Sequence, residues 1–160
     1  MTVELRPHHL LCMLTYAGAG YGEAFCQGYD ALIRRIAGGE SIRLVDGPDD
    51  VCRPISGDPD AHCHRLSVRE RDARATAALS AELDRPIAAG VVVEPEPGLI
   101  ARLRAAFADG RIRAACTGCD WARLCDAVAG EAYARARLPA TARADAPRTQ
   151  PRPRNPVATT

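Results

Sequence analysis

The sequence has no lysine, and all 21 of its basic residues are arginine. Chemistry that depends on a lysine is therefore excluded, whether Schiff base, general base or phosphate-loop cation. Aromatic residues make up only 4% of the chain. Of the 160 residues, 30 are alanine, so the 47% apolar fraction overstates the core that can form. Alanine favours helix but has little surface to bury. No apolar run approaches the roughly 18 residues that a membrane-spanning helix needs. The formal net charge is only +1, which gives no global field toward nucleic acid or an anionic membrane, and neither is expected as a partner. There is no nucleophile elbow, phosphate-binding glycine loop or dinucleotide fingerprint.

What the chain does have is seven cysteines. Its first residues, MTVELRPHHLLCML, do not read as a secretory signal, because the apolar run Leu10 to Leu14 is short and follows two histidines. A cytoplasmic location is expected, where thiols stay reduced. The odd cysteine count also argues against a complete disulfide framework. Clustered thiols in that setting point to metal binding or redox chemistry.

Local patterns predict a small, mainly α domain with one or two short strands, cross-linked by a cysteine-ligated metal centre. Pro7 opens a short helix over about His8 to Tyr16. Phe25, Tyr29, Leu32 and Ile36, with Ile33 beside them, mark one face of a helix over Glu23 to Ala37. Ser41 to Val45 and Gly90 to Glu94 are candidate strands. Ser67 with Glu70 has the form of a capping box for a helix ending near Leu83. Pro97 opens another helix, and Asp120 is a candidate cap for a last one over Trp121 to Arg137. Residues 1–138 form the expected domain. Residues 139–160 hold five prolines, four arginines and one aspartate without apolar periodicity, and are expected to be a disordered tail.

The densest chemical signal is Cys116-Thr-Gly-Cys119-Asp-Trp-Ala-Arg-Leu-Cys125. Two residues between thiols let one turn aim both sulfurs at one ion or cluster, and Gly118 supplies the backbone freedom for it. A helix starting at Asp120 would put Cys119 at its positive end, favouring thiolate. Cys52 and Cys63 stand in a loop rich in Pro and Gly, which suits chelation. With Cys116 and Cys119 they complete the count of a four-thiolate site, closing a chain with a thin core. Cys125 is a further candidate. His8 and Cys12 lie four apart on the first helix, so both can face one metal, whereas His9 is expected to face elsewhere, near Met13. His62 and His64 flank Cys63 as alternative nitrogen ligands. Cys26 reads as core packing. Asp46, Asp49 and Asp50 read as a solvated turn without the ligand spacing of a calcium loop.

Several blocks, taken in order, resemble one family. They are LRPHHLLCML at 5–14, GYGEAF at 20–25, LVDGPDDVC at 44–52, HC at 62–63 and AACTGCDWARLC at 114–125. The chain is similar over about residues 4–130 to domain-of-unknown-function family 1284, small bacterial and archaeal proteins described as suspected iron–sulfur binders. The resemblance implies a cofactor and no reaction, with Cys52, Cys63, Cys116, Cys119, Cys125 and Cys12 as its cysteine pattern. The family's pattern has a further cysteine shortly after the position of Cys52, where this chain has Pro54 and Ile55. That departure argues against two clusters.

The expected function is therefore a single iron–sulfur cluster, 4Fe–4S ahead of 2Fe–2S. Cys52, Cys63 and Cys116 would bind it together with Cys119 or Cys125. The role would be electron transfer with a redox partner protein, or redox sensing, since an all-thiolate site leaves no open metal position for an enzyme. The alternatives are a structural zinc module for protein interaction and, third, a thiol–disulfide protein using Cys116 and Cys119.

Overall fold

The computed structural model describes residues 1–59, 63 and 65–140. His62 and His64, and all but the first two residues of the expected tail, lie outside them. Five helices surround a small sheet: β1 (Val3–Leu5), α1 (Pro7–Thr15), α2 (Glu23–Ala37), β2 (Ile42–Leu44), α3 (Leu66–Leu83), β3 (Val92–Val93), α4 (Pro97–Ala108) and α5 (Ala122–Gly130). Short 3₁₀ turns at Arg53–Ile55 and Ala114–Cys116 carry two of the cysteine segments. No helix among the described residues is long and apolar enough to cross a membrane.

The mainly α reading holds, with a third strand added. β1 pairs parallel to β2, with Val3 opposite Ile42 and Leu5 opposite Leu44, and β2 pairs antiparallel to β3. Three residues are too few for a period-two signal, so β1 shows itself only through its partner. The helix boundaries follow the local signals at α1, α2 and α4, where Pro7, the α2 stripe and Pro97 act as read. All five α2 stripe residues are buried.

Two ends differ. Ser67 lies inside α3, whose N-cap is Arg65, and no side chain caps that end. Asp120 likewise caps nothing, because α5 starts at Ala122 and stops at Gly130. Beyond it Ala132 and Tyr133 take φ of +53° and +61°, which no continuing helix allows. This reversal lets the Tyr133 hydroxyl donate to the Arg104 carbonyl at 2.6 Å.

α1 is the central element. Leu10, Leu11, Met13 and Leu14 are buried, as are Pro7, His8 and Thr15, and the helix packs on α3, α4 and α5. Such a helix leaves carbonyls at its C-terminal end with no partner of their own. Arg104 on α4, itself buried, meets this need. Its Nη2 donates to the Leu14 carbonyl at 3.1 Å and to the Leu138 carbonyl at 2.7 Å. Both the end of α1 and the chain after α5 are thus fixed to α4, which brings the cysteines of these elements to one place.

Candidate metal centre

α1, the 49–55 turn, Cys63 and the start of α5 enclose a cavity of about 100 Å³. Cys12, Cys52, Cys63, Cys119 and Cys125 line it, together with both His8 and His9. Cys116 does not line it but is an electrostatic neighbour of Cys12 and Cys125. All seven cysteines are free thiols. Cys26 does not line the cavity; it packs against the hydrophobic core, as expected.

The thiols fall into two groups. Cys12 is pushed well above its usual range by burial first, then by the sulfurs of Cys125, Cys116 and Cys119. Cys125 and Cys116 are raised by burial too, and each also feels Cys119. These four sulfurs are therefore electrostatic neighbours. Cys52 belongs to a second group: burial raises its thiol most, then Asp49, and the neighbouring Cys63 raises it further.

The Cys116–Cys119 turn follows from its glycine. Thr117 has φ −60° and ψ 122°, and Gly118 has φ +74°. Those angles, with Cys119 N–H donating to the Cys116 carbonyl at 3.0 Å, make a type II turn. The turn sets Cys116 and Cys119 at the two ends of one hydrogen-bonded loop. Cys119 precedes α5 by three residues, so it does not stand at the positive end of that helix as expected. Cys125 lies within α5 and faces Thr15, with Sγ 3.1 Å from Oγ1.

Two arginines face the first group. Arg113 lies beside Cys116 and opposes the rise that burial causes. Arg71 lines the cavity and acts in the same direction on Cys12 and Cys116. Positive charge beside clustered sulfur stabilises anions there.

His8 and His9 both turn toward carboxylates, which corrects the placement of His9 away from the site. His8 Nδ1 lies 2.5 Å from Asp72 Oδ1, and His9 Nδ1 lies 2.7 Å from Asp49 Oδ2. Burial, and then the neighbouring His9, lower His8 to about 4, so it is neutral at pH 7 and donates to Asp72. Arg6 holds the negative charge of Asp72. Its Nε donates to Asp72 Oδ2 at 2.8 Å and its Nη1 to the Cys63 carbonyl at 2.7 Å. Nη2 lies 2.7 Å from the same carboxylate oxygen, as a charge contact rather than an aligned hydrogen bond.

Asp49 is the largest departure from the expected solvated turn. It is 5% exposed and accepts from four groups: the amides of Arg6 (2.7 Å), Val51 (3.0 Å) and Cys52 (3.1 Å), and His9. Burial alone would raise its carboxyl. The charge of His9 and the hydrogen bonds outweigh that and hold it near about 2. Asp46 remains exposed. Sequence reasoning missed Asp49, His9, Arg6 and Asp72; the one available signal was the position of the acidic run just before Cys52.

The family model described as Protein of unknown function (DUF1284) matches residues 20–125, more than half of the chain. The chain belongs to this family. The match spans the 49–55 turn, Cys63 and the Cys116–Cys125 segment, and begins after α1 with its Cys12 and histidine pair. No curated protein and no solved structure matches.

Proposed function

We propose that this DUF1284 protein holds one iron–sulfur cluster, 4Fe–4S in type, on Cys12, Cys116, Cys119 and Cys125, and serves in electron transfer or redox sensing. The observation that carries this reading is that free thiols from α1, the type II turn and α5 meet at one cavity: Cys12, Cys119 and Cys125 line it, and Cys116 acts on Cys12 and Cys125 from beside it. The donor set fits such a group. All four ligands are thiols, and the thiolate-ligated cluster, which is net negative, would meet Arg71 and Arg113. Thr15 Oγ1, at 3.1 Å from the Cys125 sulfur, can donate to it, a contact of the kind that tunes reduction potential. When bound, the cluster supplies reversible one-electron chemistry. The residues of the chain supply ligands, positive charge and partial exclusion of water.

The test is anaerobic purification, with an absorption spectrum and counts of iron, acid-labile sulfide and zinc per chain. Brown protein with matched iron and sulfide is expected. Cys12→Ser and Cys119→Ser should lose iron, while Cys26→Ser should keep it. Colourless protein with a zinc ion on these four sulfurs would replace the cluster with a structural zinc site. Folded protein that takes up neither metal would refute both.

A further inference from the structure

A second donor group lines the same cavity and has no part in that reading. A ring nitrogen of His9, a carboxylate oxygen of Asp49 and the Cys52 sulfur all lie within 4.8 Å of one another. Cys63 lines the same cavity as Cys52 and acts on its thiol, and both residues are buried. We propose that His9, Asp49, Cys52 and Cys63 form a mononuclear site for a borderline divalent cation of the zinc or ferrous type.

The donor chemistry selects the metal. One imidazole, one carboxylate and two thiols suit tetrahedral zinc or ferrous iron, and they suit calcium or magnesium poorly, since those cations want oxygen ligands throughout. A His9–Asp49 ion pair alone would account for two of the four groups. It gives no reason for two thiols to meet at the same place as free thiols rather than as a disulfide. A divalent ion accounts for all four: it takes the place of the protons on both thiols and of the one shared by His9 and Asp49.

The site is also held in shape by the protein. The Val51 and Cys52 amides fix one oxygen of Asp49, and the Arg6 amide fixes the other. Arg6 reaches the remaining member through the Cys63 carbonyl at 2.7 Å. Its buried guanidinium sets a positive charge beside a donor group whose deprotonated ligands carry more negative charge than the ion neutralises.

The proposal stands independently of the cluster, and metal counting on the full chain separates the two. The anaerobically purified protein should contain one zinc or non-cluster ferrous ion per chain beside its cluster. Cobalt(II), used as the probe after chelation, should give the visible spectrum of tetrahedral cobalt with thiolate charge transfer. Cys52→Ser and His9→Gln should weaken cobalt binding on the order of ten- to a hundredfold, with cluster iron, sulfide and the circular dichroism spectrum unchanged. The conservative change at His9 leaves the Asp49 hydrogen bonds to the backbone in place, so folding is preserved. Failure to bind zinc or cobalt would overturn the proposal, as would variants that bind cobalt as the parent does. Loss of sulfide-matched iron in Cys52→Ser would also overturn it, by making Cys52 a cluster ligand. A chain that holds no cluster but binds cobalt through His9 and Cys52 would refute the cluster and support this site.

Discussion

Replacing Arg6 by methionine tests how the walls of the cavity are held together. The guanidinium is fully buried, lies 2.8 Å (Nε) and 2.7 Å (Nη2) from Asp72, and donates to the Cys63 carbonyl. Methionine keeps most of the apolar bulk and removes the charge. Removing one partner of a buried ion pair costs about 3–5 kcal/mol, because the other charge stays buried without compensation. Total stabilities are about 5–15 kcal/mol, so the loss is a large share of the whole.

His8 makes that loss depend on pH. It lies 2.5 Å from the other Asp72 oxygen, and Arg6 is one of the charges that lower it to about 4. Without Arg6, His8 can take a proton and neutralise Asp72, so the variant should lose less at pH 6 than at pH 8. The assay is urea unfolding followed by far-ultraviolet circular dichroism at both pH values. It should be run on chelated and on metal-loaded protein, since bound metal adds stability of its own. A loss below about 1 kcal/mol, or an equal loss at both pH values, would show that Arg6 does not carry the charge of Asp72.

Four further outcomes are expected. His8 is lowered in the folded state, from 6.5 to about 4, so the unfolded chain binds the extra proton between those values. Stability is then complete above pH 6.5 and falls by about 3 kcal/mol as pH drops toward 4. His8→Gln should flatten that limb in denaturant titrations run across pH, and an unchanged slope would exclude His8 as its source. Asp49, held near about 2, contributes stability above the ordinary aspartate range, which is lost as pH falls from there toward 2. Gly118→Ala forces a side chain into φ +74°, at about 1–2 kcal/mol, and should speed iron loss to a chelator; parental loss rates would mean the turn does not set the ligands. Asp84→Gly should raise stability by about 0.5 kcal/mol, because the C-cap of α3 holds a non-glycine residue at φ +50°, and a lower melting temperature would contradict this.

Much of the scaffold could be read from local pattern. The stripe from Phe25 to Ile36 predicted α2 with its observed bounds, because helical periodicity records which face meets a core. Pro7 and Pro97 marked the starts of α1 and α4, since proline fits where a helix has no amide partner to lose. The Cys116–Cys119 turn was legible through Gly118, the one residue in it free to take a positive φ. Local signals also misled. Ser67 and Asp120 have the chemistry of caps, but α3 and α5 begin elsewhere, because packing against α1 and α4 outweighs a cap worth about 1 kcal/mol.

By itself, then, the sequence determined the helices, the absence of lysine chemistry and the pool of candidate ligands. The tertiary structure alone decided which candidates meet. Cys12 joins Cys116, Cys119 and Cys125 because α1 packs against α5 and is held to α4 through Arg104. Asp49 leaves solvent because the amide of Arg6, at the end of β1, needs an acceptor that the two paired strands do not supply. The same carboxylate accepts from His9 and from the Cys52 amide, which holds both at the cavity. Spacing along a chain limits how ligands can be shared within one turn or one helix. Between segments far apart in sequence, only packing and the satisfaction of buried polar groups choose the partners.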